Sequence, residues 1–342
     1  MRKALFTPIT VLFVVIVSLA LGEAMVRVLA PQDMLGSWSV YGPRGLLVNT
    51  PYGTGRHRLG QREVEYHFNS LHQRGTVEPR SDAARVLVLG DSFTFGWLLQ
   101  ENDTYVAQLQ RATDAAVGGG RIQFLNAGTG GWGTADMLAY LEALGSRIRP
   151  AMVLVFVNFD DFNRALIRGL YRLGDSGGLD ALDLSANRST LKILLEGTPG
   201  YGWLRDHSQL FQLIRNLAVS KGAVVRFIPA EQPPDDLYND PRLRALASAL
   251  FGRMEQWCAD NGARLVVTTT GWPTVNYPWL AETLEALSID HVDLAPAVAG
   301  ILGNDLDAYI IAGDGHPNEK GAALIAAAAW VELRNRIEAL AQ

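Results

Sequence analysis

Short runs of apolar and β-branched residues recur along this chain, with helical patterns between them. The first run occupies residues 85–89 and ends at a glycine. Runs of this length between turn residues are typical of strands buried on both faces of a parallel sheet. The further runs are at residues 122–125, 152–157, 265–269 and 289–294, and the helical patterns at 104–116, 135–147, 243–260 and 319–340. Strands that alternate with helices need crossover connections, so the sequence predicts an α/β fold with helices on both faces of a parallel sheet of about five strands.

The N-terminus carries an apolar run from residue 4 to residue 21, between Arg2-Lys3 and Glu23. This length is close to that of a helix that crosses a bilayer. It exceeds the apolar stretch of about 7 to 15 residues in a cleavable signal peptide, although residues 18–20 would serve as a cleavage site. We therefore expect an uncleaved transmembrane signal anchor over residues 1–30, with secretion after cleavage as the alternative. The positive-inside rule keeps Arg2 and Lys3 cytoplasmic, so the rest of the chain is predicted on the extracytoplasmic, periplasmic side.

The composition argues against several other classes of protein. The net charge of -5 disfavours binding to nucleic acid, which depends on clustered Lys and Arg. The single Cys258 rules out an intrachain disulfide and a multi-cysteine metal site. The histidines outside the C-terminal motif show no ligand spacing, and no nucleotide-binding glycine motif follows a strand. We therefore expect neither a metal nor a cofactor.

Two intervals depart from the alternation of strands and helices. Residues 31–82 are rich in Gly, Pro, Arg and aromatic residues without a sustained period, which indicates a linker followed by short irregular strands and no chemistry. Residues 160–240 contain only short helical pieces, and we interpret them as an insertion that caps the sheet. The main domain is then predicted at residues 83–342.

A G-D-S motif at residues 90–92 follows the first strand and precedes a helical segment. Ligands of open α/β sheets bind at this position, at the carboxyl ends of the strands. The hydroxyl of Ser92 would be accessible there, and the N–H groups at the helix start would stabilise an oxyanion. The motif is not the G-x-S-x-G elbow, because Thr94 stands where that elbow needs glycine. Ser92 is therefore a candidate nucleophile.

A second motif, D-G-H-P-N at residues 314–318, lies between the last strand and the final helix. In an extended segment, residues two apart point the same way. Asp314 would then accept the proton of one imidazole nitrogen of His316 and leave the other free to take the proton of Ser92. A neutral histidine suits this role at physiological pH.

Two further strand ends offer donors for an oxyanion hole. An N-A-G-T-G-G loop occupies residues 126–131, and Asn158 follows the third strand. A glycine N–H can approach a substrate closely, and the Asn158 amide is a neutral donor. Together with the Ser92 N–H they would provide three donors.

These four blocks, in this order, resemble the SGNH hydrolase superfamily over about residues 85–340. The resemblance implies a three-layer α/β/α sandwich with a flavodoxin-like sheet, Ser92 as nucleophile and His316 as base. It also implies that Gly131 and Asn158 complete the oxyanion hole, with the glycines at 128 and 130 as competitors for the role of Gly131. The F-N-S-L-H-Q-R-G stretch at residues 68–75, behind a signal anchor, resembles the exported, membrane-anchored bacterial branch of that family.

The chain departs from the family pattern at two positions. The family often has Asp three residues before the histidine, where this chain has Gly313, and it often has Asp after the asparagine, where this chain has Phe159. The first departure moves the orienting carboxylate to Asp314, a spacing similar to that of polysaccharide O-acetyltransferase relatives. The second reshapes the acyl pocket without removing the amide donor of Asn158.

The motifs together predict a serine esterase that works through an acyl-enzyme on O-acyl or O-acetyl groups of a carbohydrate or envelope component. Three alternatives remain open. They are a polysaccharide O-acetyltransferase with the same triad, a lysophospholipase or thioesterase, and a noncatalytic glycan-binding envelope protein.

Overall fold

The structure of the chain is a computed structural model. It describes residues 2–35, 38–174, 178–185, 193–195, 197–220, 238–273, 277–303 and 305–342. The chain divides into two compact units. The first comprises Met1–Ser37, Gly55–Glu65 and Ser189–Phe227, and the second comprises Trp38–Thr54, Tyr66–Arg188 and Ile228–Gln342.

The strands and principal helices of the described residues are numbered in chain order. The strands are β1 (Met34–Leu35), β2 (Ser39–Tyr41), β3 (Leu47–Asn49), β4 (Thr54–Leu59), β5 (Arg62–His67), β6 (Ala84–Leu89), β7 (Ile122–Asn126), β8 (Met152–Val157), β9 (Tyr171–Leu173), β10 (Leu179–Ala181), β11 (Arg264–Thr269) and β12 (Asp290–Val292). The helices are α1 (Arg2–Leu29), α2 (Ser92–Phe95), α3 (Tyr105–Val117), α4 (Thr134–Ile148), α5 (Asp161–Arg168), α6 (Tyr201–His207), α7 (Gln209–Ser220), α8 (Pro241–Asp260), α9 (Leu280–Ala286), α10 (Ala295–Leu302) and α11 (Glu319–Glu338).

A five-stranded sheet forms the centre of the second unit, in the order β12-β11-β8-β6-β7. Every neighbouring pair of strands runs parallel, and Leu87 of β6 lies opposite Leu125 of β7 and Val153 of β8. The predicted α/β fold is therefore confirmed, although β12 is shorter than the predicted run at 289–294. Because all five strands point the same way, their carboxyl ends meet at one edge of the sheet.

Helices cover both faces of this sheet. Leu87 and Leu89 of β6 pack into one apolar cluster with residues of α4, α5, α8 and α9. Val86 and Val88 point to the opposite face and pack with residues of α3, α10 and α11. Each of these side chains is withdrawn from water, and full burial of such a residue contributes about 1.5–3 kcal/mol. Burial on both faces explains why the strand reads as an unbroken apolar run.

The first unit contains the predicted N-terminal apolar helix. The α1 helix has 28 residues and therefore spans about 42 Å. Its segment Pro8–Leu29 is long and apolar enough to cross a membrane, a property that signal sequences share. The same unit contains β1, which pairs antiparallel with β4 at Met34 and Arg58, and the helices α6 and α7.

The two irregular intervals of the sequence contain short elements. Within residues 31–82, β2 and β3 pair antiparallel, with Val40 opposite Val48. The interval 160–240 is divided between the units, because α5, β9 and β10 belong to the second unit and α6 and α7 to the first. Residues 186–192 and 221–237 lie outside the described residues, so a cap over 160–240 stays a prediction.

Candidate active site

Ser92 begins the short helix α2, just beyond the end of β6. Asp91 caps this helix, since its carboxylate accepts the Phe93 N–H at 2.8 Å. Ser92 itself is 6% exposed. Gly90 is required for the tight packing here, because a Cβ at that position would lie 1.9 Å from Thr94 Oγ1. The nucleophile candidate thus sits in a loop that the protein interior holds closely.

Arg74 supports the Ser92 loop from within the protein. Its guanidinium donates hydrogen bonds to the carbonyl oxygens of Phe95 (2.7 Å), Gly96 (2.9 Å) and Leu99 (2.6 Å). It also lies 4.4 Å from the ring centre of Tyr66. Burial lowers the pKa of Arg74 to about 10, which leaves the side chain charged at neutral pH. Sequence reasoning missed this role, although the arginine belongs to the F-N-S-L-H-Q-R-G stretch.

The structure brings Ser92, His316 and Asp314 together in series. His316 Nε2 lies 2.8 Å from Ser92 Oγ, and His316 Nδ1 lies 2.5 Å from Asp314 Oδ1. The expected reason for this contact is wrong, however. The backbone between Asp314 and His316 is a turn and not an extended segment, and Gly313 and Gly315 both have positive φ, at 80° and 89°.

Trp97 is a further member of this group that sequence reasoning missed. Its indole donates a hydrogen bond to the Asp314 carboxylate, and its ring stacks on the His316 imidazole with centroids 5.6 Å apart. Burial alone would raise the pKa of Asp314, but the hydrogen bonds from His316 and Trp97 lower it below its ordinary value. Asp314 therefore stays ionised and keeps the imidazole proton on Nδ1. The only sequence signal for Trp97 is its position directly after the G-D-S-F-T-F-G segment.

The glycine loop after β7 contributes backbone N–H groups. The Gly128 N–H already donates to Asn126 Oδ1 at 3.0 Å, which removes Gly128 from the competition for the oxyanion hole. The N–H groups of Gly130, Gly131 and Ser92 have no acceptor among the described residues. Asn126 also donates to the Thr94 carbonyl at 2.8 Å, so it joins this loop to the Ser92 loop.

Asn158 is fully buried at the end of β8. Its Nδ2 donates to Asp91 Oδ2 at 3.0 Å, and its Oδ1 accepts from Thr270 Oγ1 at 3.4 Å. An amide nitrogen carries two protons, and within the described part of the chain only the contact with Asp91 uses one. The predicted donor is therefore fixed beside the residue that precedes Ser92.

A charged cluster lies behind these donors. Arg164 contacts Asp91 at 3.1 Å and Asp160 at 2.9 Å, and it donates to the Trp132 carbonyl at 3.1 Å. Burial, and then the nearby Asp91 charge, raise the pKa of Asp161 well above its ordinary value. Arg164 joins three loops at the carboxyl edge of the sheet, and sequence reasoning did not identify it.

A serine, a histidine and a carboxylate in series, beside unengaged N–H donors, are the components that acyl transfer through a serine requires. The sequence also matches a family of enzymes with this chemistry. Residues 88–324 match the model of the GDSL-like lipase/acylhydrolase family, so the chain belongs to that family of ester-cleaving enzymes.

Several solved structures are similar to this chain. One is TesA, with 16% identity over 73% of this chain and 98% of that chain, and a TM-score of 0.42. Another is the psychrotrophic esterase EstA from Pseudoalteromonas sp., with 17% identity over 74% and 98% and a TM-score of 0.41. A third is the acetyl xylan esterase AlAXEase, with 13% identity over 73% and 99% and a TM-score of 0.41. A search of curated protein sequences finds no match to this chain.

Proposed function

We propose that this chain is a serine esterase that works through an acyl-enzyme, with the hydrogen-bonded series Asp314, His316 and Ser92 as the observation that carries the proposal. Ser92 Oγ attacks the ester carbonyl while His316 Nε2 takes the hydroxyl proton. The tetrahedral intermediate collapses, and the leaving alcohol takes that proton back from His316. The acyl group then remains on Ser92 Oγ until water, activated by the same imidazole, releases it as an acid.

Three donors stabilise the oxyanion in this mechanism. They are the backbone N–H groups of Ser92 and Gly131 and the side-chain amide of Asn158. Donors that are fixed before the reaction stabilise the developing charge without reorganisation, and removal of one typically costs about 10²- to 10³-fold in kcat. The hydrogen bond from Asn158 to Asp91 supplies this fixation for the side-chain donor.

Asp314 acts as the orienting carboxylate, and Trp97 as a positioning residue behind it. Because Asp314 accepts from both the indole and the imidazole, it holds the His316 ring with Nε2 towards Ser92. The lowered pKa of Asp314 favours the carboxylate that stabilises the imidazolium formed during the attack.

The substrate that we propose is an O-acyl or O-acetyl ester of a carbohydrate or envelope component. The side chains of His316 and Asp314 are 22% and 19% exposed, so water can reach the imidazole. Access of water favours hydrolysis over transfer to a second hydroxyl. An O-acetyltransferase with the same residues is the second candidate, favoured by the spacing of Asp314 and His316.

The apolar α1 supports a membrane-anchored location with the catalytic unit on the extracytoplasmic side. Its length exceeds the hydrocarbon core of about 30 Å, and within Pro8–Leu29 nearly all of the large apolar side chains are exposed. The basic residues Arg2 and Lys3 at its start favour the orientation with the remainder of the chain outside.

The test is hydrolysis of p-nitrophenyl acetate, butyrate and octanoate by the full-length protein in detergent, beside the Ser92→Ala variant. We expect turnover of the acetate in the parent chain and none in the variant, with identical circular dichroism spectra. Faster turnover of the octanoate would favour the lysophospholipase alternative. Turnover that appears only after addition of an oligosaccharide, with acetylated product, would favour the transferase. Equal turnover in Ser92→Ala would contradict the proposal.

A further inference from the structure

The helices α6 and α7 of the first unit expose large apolar side chains. Trp203 and Leu204 of α6 are 64% and 41% exposed, and Ile214 and Leu217 of α7 are 57% and 52% exposed. Isolated exposed apolar residues are common on soluble proteins, but several on two consecutive helices mark a surface that contacts something.

The α7 helix has two unlike faces. Gln209 and Asn216, seven residues apart, both hydrogen-bond Gln32 in the segment that follows α1. Ile214 and Leu217 lie on a different face, where both side chains are exposed. The helix is therefore amphipathic, and its polar face binds the segment that follows α1.

Glu23 of α1 binds the N-terminus of α7. Its carboxylate accepts the backbone N–H groups of Gln209 and Leu210, each at 2.9 Å, and the Ser208 hydroxyl at 2.8 Å. It thus caps the N-terminus of α7 from another helix. Arg27 completes the junction, since it donates to Glu23 at 2.7 Å and to the His207 carbonyl at 2.8 Å. Glu23 is also the first charge after the apolar run of α1.

An apolar groove of about 580 Å³ lies between α1 and the two helices. Its α1 wall includes Ile16, Leu19 and Ala20, which belong to the apolar run itself. Its other wall includes Trp203 and Ile214. A helix that crosses a bilayer places about 20 residues in hydrocarbon, so the end of that run lies at the outer boundary of the acyl chains. The side chains of α6 and α7 that line the groove with these α1 residues must lie at the same depth in the bilayer.

We propose that α6 and α7 form a second membrane-binding element, which lies in the extracytoplasmic leaflet beside α1 and takes lipid acyl chains into this groove. The inference rests on the membrane anchor of the proposed function. Lipid is the occupant because exposed apolar residues of α6 and α7 line one groove with the apolar run of α1, and because Trp203 and Arg27 are residue types that favour the interface. It also requires that α1 is retained, since cleavage after Ala20 would remove one wall of the groove.

The test uses full-length chains with a single added cysteine, labelled with bimane, in vesicles of phosphatidylcholine with or without brominated acyl chains. Bromine quenches only labels that contact the chains. Three substitutions are compared: Leu12→Cys on α1, Leu217→Cys on α7, and Val331→Cys, an exposed apolar position on α11. The native Cys258 stays unlabelled, because it is buried and burial raises the pKa of its thiol to about 12.

We expect the brominated lipid to quench the labels at positions 12 and 217 and to leave the label at 331 unchanged. Quenching at 12 with none at 217 would overturn the second membrane element and leave the anchor intact; a partner protein or a second copy would then be the occupant. Absence of quenching at 12 would overturn the anchor and the inference together. Turnover of p-nitrophenyl acetate by the same Leu217→Cys sample tests the proposed esterase activity independently of the quenching. It also shows that the variant is folded.

Discussion

The Ser92 loop and the Asp314–His316 turn meet in one candidate site, yet the protein holds them in different ways. In the Ser92 region the glycines are needed for space, since a Cβ on Gly128 would lie 2.4 Å from the Phe95 nitrogen. In the histidine turn a Cβ on Gly315 would meet nothing within 4 Å, and the glycine is needed only for its φ of 89°. Ser92 is thus positioned by packing and His316 by backbone conformation.

The histidine turn is exposed but is fixed at both ends. Asn318 donates to the carbonyl oxygens of Ala308 and Ile310, each at 3.0 Å, while its own side-chain oxygen caps α11. At the other end the Ile311 N–H donates to the His316 carbonyl at 2.8 Å. A substitution in the turn should therefore change the chemistry more than the stability, and the reverse should hold behind the Ser92 loop.

The largest expected effect on chemistry is that of His316→Ala. Loss of the proposed general base should lower kcat by about 10²- to 10⁴-fold. Because the imidazole is partly exposed, the midpoint of thermal unfolding should stay close to that of the parent chain. Kinetics with p-nitrophenyl acetate and calorimetry check both points, and His291→Ala on β12 is the matched control that should retain activity. A large loss of stability in His316→Ala would contradict the contrast between the two regions.

Behind the Ser92 loop, Arg74→Met should act mainly on stability. The change removes a donor from three buried carbonyl oxygens, of which that of Gly96 still accepts the Leu99 N–H. Each of the two groups left unsatisfied costs about 1–3 kcal/mol, so we expect a loss of about 2 kcal/mol or more. Urea unfolding of the full-length chain measures it. Arg80→Met is the control, because Arg80 pairs with Asp82 on the surface and should be replaceable without effect. An unchanged free energy of unfolding in Arg74→Met would show that the buried contacts of Arg74 do not hold the Ser92 loop.

Two glycine substitutions sharpen the same contrast. Gly128→Ala forces a Cβ against the backbone of α2 and should cost about 1–3 kcal/mol together with most of the activity. Gly315→Ala meets no neighbour and should cost only about 1 kcal/mol, from its positive φ. The free energy of unfolding and the turnover of p-nitrophenyl acetate are measured for both variants. A greater cost at Gly315 than at Gly128 would reverse our interpretation.

Trp97→Phe should have the smallest effect, on the orientation of the base. The variant keeps an aromatic ring against His316 but loses the N–H that donates to Asp314, and one hydrogen bond to a charged group corresponds to about tenfold in kcat. KM should not change. The fall in kcat should be larger in Trp97→Ala than in Trp97→Phe. A rise in KM with little change in kcat would show that Trp97 binds substrate instead.

The same variant makes a prediction about pH. The lowered pKa of Asp314 contributes stability that is present above the ordinary aspartate pKa and is lost as the pH falls through the lowered value. Without the Trp97 donor the folded-state pKa rises towards the ordinary one, so Trp97→Phe should lose this stability at a higher pH than the parent. Acid unfolding curves of the two proteins measure the shift, and coincident curves would count against the hydrogen bond.

The sheet could be predicted from the sequence because its strands are buried on both faces and read as continuous apolar runs. The site motifs could be predicted because a parallel sheet brings its strand ends to one edge, which places Ser92 and Asn158 together whatever their separation in the chain. The contact between Asp314 and His316 was predicted for the wrong reason, since positive φ at the two glycines produces it.

Other features depend on tertiary packing that no local pattern reveals. The Arg74 side chain reaches carbonyl oxygens more than 20 residues away, and an arginine in a Gly-rich segment gives no sign of that. Glu23 caps a helix 185 residues further along the chain, so the association of α1 with α7 had no sequence signal. The choice between Gly130 and Gly131 as donor stays a prediction.

The most direct test of the proposed mechanism is covalent labelling of the full-length protein with an alkyl fluorophosphonate, followed by mass spectrometry of its peptides. The reagent loses fluoride to an activated serine hydroxyl. We predict one adduct, on Ser92, that is absent in Ser92→Ala and much slower to form in His316→Ala. An adduct on another residue, or ester turnover without any adduct on Ser92, would contradict the role of Ser92 as the nucleophile.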